Sequence, residues 1–448
     1  MVFHWFSLPE CWLGVLTALS LFPLSLRQRQ LLLSFFAFSI LGNLYSLEII
    51  SNPWFSAQPW GQGFRGLVLL FTLALLYNNI QSNPERFALI ALTGWTSALM
   101  CLTTEFMTFF VLMEIQTLCL FVLISYQTYS ALSTEAAVKY FVLGAFVSGL
   151  FLFGLALFYQ TRGHLSFHGG LNHWLVGESF PVLLITGTLF FKMTVAPFHQ
   201  WAPDVYEGSP WVTLLVLSSL PKLGIFSVLA QLALPLFLLW VAGLISIFWG
   251  VWGAFNQSKL KRLLAYSAIG HAGFIIMGLS LGTLMGYQMA GLYLIFYIIT
   301  FLTLVWVLET LPFLGSHWVY WAGLRSAFPI HTWILVFLLF SMAGIPPLVG
   351  FLIKWGILTA LVEAQYYITT LVVLLLATWA VGYYLRLIKQ LTFEPSSSWT
   401  RWFVLLQKKP NSPYSLTLLS LGTFVSITSL VWPFWYIGGL HYLTWCIV

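Results

Sequence analysis

Six ionisable side chains fall inside long apolar stretches of the sequence, and these are the residues whose types could support chemistry. They are Glu114, Lys139, Lys192, Lys222, His271 and Lys354. A charged group at membrane depth costs roughly 2.5–3.5 kcal/mol on insertion scales, so it usually serves a function. Carboxylates, amines and imidazoles all gain and release protons, and a series of them in an apolar interior suits proton transfer. The pattern therefore predicts a proton path along these residues.

Each of these residues also has a structural interpretation. Lys139 lies near the start of its predicted span, where a lysine can extend its ammonium group to the membrane surface. His271 could be a packing residue whose ring nitrogens are satisfied by its neighbours. The other lysines and Glu114 could form structural ion pairs. We favour a functional role for all of them except Lys139, because buried charges are costly to retain for packing alone. For Lys139 the residues alone favour the position at the membrane surface.

Prolines interrupt two of the apolar stretches beside these lysines. In FFKMTVAPFHQW, Lys192 precedes Pro197, and in AGIPPLVGFLIKWG, Lys354 follows Pro346 and Pro347. A proline inside a helix removes a backbone hydrogen bond, and broken helices at membrane depth usually line a cavity. Interrupted helices in corresponding positions of two halves indicate inverted repeats around a path at the middle of the membrane.

Three further polar residues follow the first break. His199 could pass protons into or out of the path, because its side chain titrates near neutrality. Asp204 and Glu207 are expected in the turn after the broken span, where they could be structural or gating residues.

The elements that must position these residues are membrane-spanning helices. Hydrophobic residues make up 60% of the 448-residue chain and charged residues only 7%, whereas soluble domains carry about 25% charged residues. The apolar runs predict an all-α polytopic membrane fold with about 14 transmembrane helices, two inverted five-helix repeats, and breaks in spans 7 and 12. We expect N-terminal membrane helices over 1–86, the repeats over 87–232 and 233–390, and an interfacial loop with a last membrane helix over 391–448.

The distribution of basic residues predicts the orientation. With alternating spans, most of the 18 lysines and arginines fall in loops on one side, which is then the cytoplasmic or matrix side. The N-terminal stretch has no basic lead-in and no small-residue cleavage site, so it reads as the first span. We expect a mitochondrial inner-membrane protein, and a bacterial plasma membrane or a plastid thylakoid membrane is the alternative.

Several other functions are not indicated. The four cysteines, Cys11, Cys101, Cys119 and Cys446, include no close pair such as CxxC, so no zinc or iron–sulfur site is predicted. The sequence has no glycine-rich phosphate loop after a strand. The net charge of +6 is spread over loops and does not indicate nucleic-acid binding.

Four stretches carry a resemblance to a known family. Ala136–Gly154, Phe190–Gly208, Pro221–Gly224 and Asn256–Gly273 closely resemble chain N of the bacterial NADH–quinone oxidoreductases, which corresponds to subunit 2 of mitochondrial complex I. The K-x-x-x-x-P-F-H-x-W-x-P-D core is shared by the antiporter-like subunits of these complexes. The runs VYEG and KYFVLGAF point to the chain N family in particular.

The resemblance implies roles for the matching positions. Glu114 would be the carboxylate of the fifth span, Lys139 the buried lysine of the sixth, Lys192 that of the broken seventh and Lys222 that of the eighth. His271 would be the tenth-span histidine, and Lys354 the lysine of the broken twelfth span. The chain would be a proton-translocating membrane-arm subunit of NADH:ubiquinone oxidoreductase, driven by quinone reduction elsewhere in the complex.

The same resemblance implies the cofactors and partners. The chain itself would bind no cofactor and hold no redox centre, because NADH, FMN, iron–sulfur clusters and ubiquinone are bound by other subunits. The expected partners are the antiporter-like and small membrane subunits of the complex, together with lipids such as cardiolipin. Two alternatives are a subunit of a multi-chain sodium/proton antiporter and a structural membrane spacer.

Overall fold

The computed structural model describes residues 59–394, with gaps at 80–82, 168–178, 233, 312–315, 323 and 347, and also residues 29, 51–52 and 55–56. A two-stranded antiparallel pair, β1 (Ser51–Asn52) and β2 (Phe55–Ser56), precedes fourteen α-helices in this part of the chain. The helices are α1 (Pro59–Asn78), α2 (Pro84–Met100), α3 (Phe106–Ile124), α4 (Ala131–Arg162), α5 (Ser179–Met193), α6 (Trp201–Gly208), α7 (Trp211–Gln231), α8 (Leu236–Phe255), α9 (Leu260–Leu279), α10 (Leu284–Thr310), α11 (Leu324–Ala327), α12 (Pro329–Ala343), α13 (Val349–Glu363) and α14 (Tyr367–Thr392).

The all-α polytopic membrane fold is confirmed. Within the described residues, eight helices are long and apolar enough to cross a membrane, and Phe180–Met193 and Pro329–Ala343 are shorter apolar helices. The predicted third to thirteenth spans each coincide with one helix, except that span 12 corresponds to two helical segments, α12 and α13. The first two spans, most of the interfacial loop and the last span lie outside the described residues.

The first break lies at Pro197. Helix α5 ends at Met193, Thr194 has a φ of 63°, and the Ala196–Pro197 peptide bond is cis. The sequence predicted a span that continues to Phe198, so the helix ends five residues earlier than expected. The reason is that Pro197 cannot donate a hydrogen bond to the carbonyl of Met193, four residues before it, and its ring clashes with that carbonyl.

The second break lies at Gly344. This residue has a φ of 81°, a conformation that glycine adopts without a steric penalty. Its N–H donates to the Ser341 carbonyl at 3.0 Å, and the Ile345 N–H donates to the Phe340 carbonyl at 3.2 Å. This pair of hydrogen bonds is the Schellman motif that terminates many helices. Helix α12 therefore stops at Ala343, and α13 starts beyond the prolines, at Val349.

The chain separates into two compact units. Among the described residues, the first unit contains those up to 193 together with those of 208–234, and the second contains those of 194–207 and 235–394. In chain order, α2, α3, α4, α5 and α7 belong to the first unit, and α8, α9, α10, the α12–α13 pair and α14 belong to the second. In both series the break belongs to the fourth member: α5 ends at the first break, and the second break lies between α12 and α13. Helix α6, which follows the first break, groups almost entirely with the second unit.

Small residues bring helices close together inside the second unit. A Cβ added at Gly250 would lie 2.6 Å from the Cα of Gly270, and one added at Gly243 would lie 2.9 Å from the sulfur of Met277. Glycines at such positions let helix backbones approach closely, which is how helices gain packing contacts in a membrane. The contact between α8 and α9 therefore provides a firm support for the side chains that α9 carries.

Candidate functional site

The predicted residues are divided between the two units. Glu114 on α3, Lys139 on α4, Lys192 on α5 and Lys222 on α7 belong to the first unit, and His271 on α9 and Lys354 on α13 belong to the second. We describe each unit separately.

Lys192 and Glu114 are electrostatic partners in the first unit. Lys192 is 6% exposed, and its Nζ lies 5.9 Å from the centre of the Tyr140 ring, close enough for a cation–π interaction. Lys192 Nζ and Glu114 Oε1 are both buried and without a hydrogen-bond partner among the described residues. A buried charge that lacks hydrogen bonds is costly, and such groups cluster at functional sites.

Helix α5 supports the charge of Lys192. The residue lies in the last turn of this helix, directly before the break. The carbonyl groups at the carboxyl end of a helix carry partial negative charge, which favours a cation there. The proline break therefore brings a helix end, and its electrostatic effect, to the position of the buried lysine.

Lys139 is half-exposed rather than buried in this chain. Its Nζ forms an ion pair with Glu135 at 2.8 Å, and the two side chains are 41% and 59% exposed. Its neighbours Val138 and Val142 are also exposed. Lys139 therefore lies on an outward face of α4, which differs from the burial that the resemblance implies.

Lys222 is almost completely buried in α7, with 1% exposure. It follows Pro221, which lies inside the helix. Because a proline has no N–H, the carbonyl four residues earlier, that of Leu217, loses its usual helical donor. The backbone of the helix is therefore more polar one turn before the lysine than in an unbroken helix.

His271 is held by two tyrosine hydroxyls in the second unit. Its Nδ1 lies 2.7 Å from the hydroxyl of Tyr293, its Nε2 lies 3.2 Å from that of Tyr384, and its ring centre is 5.1 Å from that of Tyr297. A neutral imidazole donates through one nitrogen and accepts through the other, and a tyrosine hydroxyl can do either. The cluster can therefore pass a proton by changing tautomer.

Lys354 binds the end of the broken helix α12. Its Nζ donates to the carbonyls of Met342 at 3.1 Å and Ala343 at 2.7 Å, and the residue is 7% exposed. The last carbonyls of a helix have no intrahelical donor and carry partial negative charge. The ammonium group therefore supplies the hydrogen bonds that the break removes.

A small cavity joins the two predicted residues of the second unit. It offers about 10 Å³ of space for the centre of a water molecule, and His271, Tyr293, Tyr297, Ser341 and Lys354 are among its lining residues. This volume is at the lower limit for a single water, and most of the accessible lining is apolar. The structure thus places His271 and Lys354 on the wall of one cavity.

The residues after the first break differ from expectation. Asp204 and Glu207 lie in helix α6 rather than in a turn, and both form ion pairs with α9. Pro203 does not prevent this helix, because proline is tolerated in the first turn of a helix, where no intrahelical donor is needed. His199 is 9% exposed, and its ring lies 6.2 Å from that of Trp249.

Sequence reasoning missed the tyrosines of the site. Tyr140, Tyr293, Tyr297 and Tyr384 were not singled out, because aromatic residues in apolar helices usually belong to the packed core. The available signal was that a buried tyrosine hydroxyl needs a hydrogen-bond partner. Across the described residues, no group of three or more His, Cys, Asp or Glu side chains could hold a metal ion.

These features define a class of protein: a polytopic membrane protein with broken helices beside buried ionisable residues, as in ion transporters. Residues 103–379 match the family model described as NADH:quinone oxidoreductase/Mrp antiporter, TM. The NADH-ubiquinone oxidoreductase chain 2 of Metridium senile is 36% identical over 347 residues, which are 75% of this chain and 90% of that one. The NADH-quinone oxidoreductase subunit N 1 of Rhizobium meliloti is 32% identical over 76% of each chain.

The chain therefore belongs to the NADH:quinone oxidoreductase/Mrp antiporter family, among the proteins named chain 2 or subunit N. A chain of respiratory complex I from Thermus thermophilus has the same fold, with a TM-score of 0.85 and 24% identity over 96% of this chain and 99% of that one. The family resemblance carried by the sequence motifs is confirmed.

Proposed function

We propose that this chain is a proton-translocating membrane-arm subunit of NADH:ubiquinone oxidoreductase, the respiratory complex I. Its protons move along Glu114, Lys139, Lys192, Lys222, His271 and Lys354. The observation that carries the proposal is the shared cavity of His271 and Lys354, two buried ionisable residues on different helices that line the same internal space. The chain 2 and subunit N relatives support the assignment to this complex.

In the first unit, the Glu114–Lys192 pair can act as a charge switch. The two residues interact electrostatically without a direct ion pair within the described part of the chain. If the charges approach, their attraction stabilises the ammonium form of the lysine. If they separate, this stabilisation is lost and the lysine releases its proton more readily. A conformational or electrostatic change in a neighbouring subunit would drive this movement.

In the second unit, the transfer uses hydrogen-bonded hydroxyls and water. A proton on His271 can reach Lys354 through the cavity, while Tyr293 and Tyr384 hold the ring in place. Moving one charge against a potential of 100 mV costs about 2.3 kcal/mol. The energy therefore comes from quinone reduction in other subunits, which would bind NADH, FMN, the iron–sulfur clusters and ubiquinone. This chain would have no redox centre.

The surroundings of the chain follow from the same proposal. The outward apolar faces would meet the other antiporter-like subunits, the small membrane subunits and lipids such as cardiolipin. The membrane would be the mitochondrial inner membrane, or else a bacterial plasma membrane or a plastid thylakoid membrane. The relatives include both mitochondrial-type and bacterial chains.

The decisive experiment is purification of the tagged chain from its native membrane in a mild detergent. We expect it to bring down flavin and iron–sulfur proteins, to oxidise NADH with a quinone, and to pump protons after reconstitution into liposomes. Recovery with other antiporter chains instead, together with sodium-driven proton exchange that needs no NADH, would assign the chain to a multi-chain sodium/proton antiporter.

Neutralising Glu114 tests the charge switch. We expect Glu114→Gln to lower proton pumping per assembled complex about tenfold, because an interaction with a charged partner contributes about 1.5 kcal/mol or more. Pumping is measured with a pH-sensitive dye in vesicles that are supplied with NADH. The matched control is Glu363→Gln, which neutralises an exposed carboxylate at the end of α13. Equal pumping in the two variants would exclude the Glu114 switch.

Removing one hydroxyl tests the histidine cluster. We expect Tyr293→Phe to reduce pumping per assembled complex by about two- to tenfold, since one hydrogen bond contributes about 0.5–1.5 kcal/mol. The control is Tyr266→Phe on α9, where the ring packs against Gly253 and the hydroxyl makes no bond to His271. A Tyr293→Phe variant that pumps like the control would mean that the hydroxyl only fills space.

A further inference from the structure

Four charged side chains connect the short helix α6 to the start of α9, and we call this group the α6 clamp. Arg262 forms an ion pair with Asp204, with 3.3 Å between Nη2 and Oδ1, and donates a hydrogen bond through Nη1 to Glu207 Oε2, also at 3.3 Å. Lys259 donates to Glu207 Oε1. Lys261 also attracts Glu207 electrostatically. One guanidinium thus bridges two carboxylates through two different nitrogens, in a fixed planar geometry that a lysine ammonium does not offer.

The geometry of the clamp is regular. Asp204 and Glu207 are three residues apart on α6, so that their side chains lie on one face of the helix. Lys259 precedes α9 as its N-cap residue, and Arg262 lies in its first turn. The Glu207 side chain is 11% exposed, whereas the other three are between 32% and 36% exposed. Glu207 is therefore the sheltered centre of the clamp.

Except for Asp204, an acid in the first turn of α6, the charges of the clamp oppose the preferences of the helix ends near which they lie. Glu207 lies in the last turn of α6, where the partial negative charge of the helix end disfavours an acid. Lys259, Lys261 and Arg262 lie at the start of α9, where the partial positive charge disfavours cations. The side-chain charge at each of these helix ends is thus unfavourable alone, and the opposite charges at the other helix end compensate for it. Such local conflicts are typical of functional sites.

Helix α6 depends on contacts of this kind. It has eight residues, and isolated helices shorter than about 12 residues are marginal in water. At its start, residues 194–200 join it to the end of α5, where Lys192 lies. Arg262 and His271 share helix α9, with about 14 Å between them along its axis.

We propose that Asp204, Glu207, Lys259 and Arg262 are positioning residues for proton transfer. The α6 clamp holds the segment after the first break against the helix that carries His271. It thereby fixes the backbone that follows Lys192. This inference rests on the proposed proton-pumping function and adds a device that keeps the break in its active arrangement.

The test uses the assembled complex with one of three substitutions in the clamp: Glu207→Gln, Arg262→Gln or Arg262→Lys. The control is Lys389→Gln, which neutralises an exposed lysine of α14 outside the clamp. The amount of assembled complex and the protons pumped per NADH are measured separately. We expect Glu207→Gln and Arg262→Gln to lower pumping per assembled complex about tenfold. Arg262→Lys should recover part of this loss, and the Glu207→Gln/Arg262→Gln double variant should pump no worse than either single variant, because the residues act as a unit.

The results distinguish a role of the clamp in proton transfer from a role in stability alone. Reduced assembly with normal pumping per assembled complex would overturn the proposal, because the clamp would then serve stability only. If Glu207→Gln fails to assemble, Arg262→Lys decides, since it keeps the charge but loses the bridge: reduced pumping supports the clamp and normal pumping overturns it. Lys192→Met is measured in parallel. Loss of pumping in Lys192→Met but not in the clamp variants would reject the clamp alone, whereas normal pumping in Lys192→Met would reject the proton path itself.

Discussion

Replacing Lys222 with Met is expected to abolish proton pumping and to leave the complex assembled. Lys222 is buried in the interior of α7, with 1% exposure. Methionine has a similar length, favours helices about as well as lysine, and fits an apolar environment. The substitution therefore removes the proton-binding amine without leaving a void. We expect pumping per assembled complex to fall by a factor on the order of 100 or more, since a relay that lacks one carrier has no alternative route.

The measurement compares protons pumped per NADH oxidised in sealed vesicles, together with the amount of assembled complex. Lys389→Met is the control, because it removes an exposed lysine from the last turn of α14. The control should pump normally. Unchanged pumping in Lys222→Met would contradict the relay as drawn, while poor assembly with normal pumping would show that Lys222 has a structural role.

Replacing Gly350 with Ala is expected to prevent folding of the second unit and hence assembly. A Cβ at this position would overlap the backbone carbonyl oxygen of Ser341 on α12. Alanine favours helices over glycine by about 1 kcal/mol, so propensity alone predicts stabilisation. The overlap involves two backbones, which cannot move as a flexible side chain can, and overpacking of this severity costs more than about 4 kcal/mol. The steric overlap therefore outweighs the helix propensity, and the substitution is expected to destabilise the protein.

The control for this prediction is Gly149→Ala on α4, where an added Cβ would meet no atom within 4 Å. That variant should assemble normally and melt at the same or a slightly higher temperature. Assembly is measured by native gel electrophoresis and stability by thermal unfolding in detergent. Normal assembly of Gly350→Ala would mean that α12 and α13 can separate, and that the contact between Lys354 and the end of α12 is not rigid.

The site could be located from sequence because its determinants are local. A lysine or glutamate in an apolar run is unusual wherever the run packs, and a proline interrupts a helix whatever surrounds it. The ends of α5 and α12 beside Lys192 and Lys354 were accordingly predictable. The exact end of α5 at Met193 was not predicted, because the apolar run continues for five further residues, to Phe198, although Pro197 cannot donate to the carbonyl four residues earlier.

The remaining features depend on tertiary structure. Lys139 could not be placed because the direction of a side chain from α4 depends on which face of that helix the bundle covers. The tyrosine partners of His271 come from α10 and α14, far away in sequence, and no local pattern distinguishes them from core aromatics. Helix α6 was missed because an eight-residue segment that contains a proline resembles a turn, and it is supported by charges on a distant helix.

The contact of Lys354 has a consequence for genetics. Its partners are the main-chain carbonyls of Met342 and Ala343, which every amino acid possesses. Substitutions at those two positions can therefore leave the carbonyl oxygens that bind the ammonium group in place. A survey of side-chain substitutions would overlook this contact. The position of these carbonyls is set by the place where α12 stops, so inherited variation that moves this helix end, for example at Gly344, alters the contact as directly as substitution of the lysine itself.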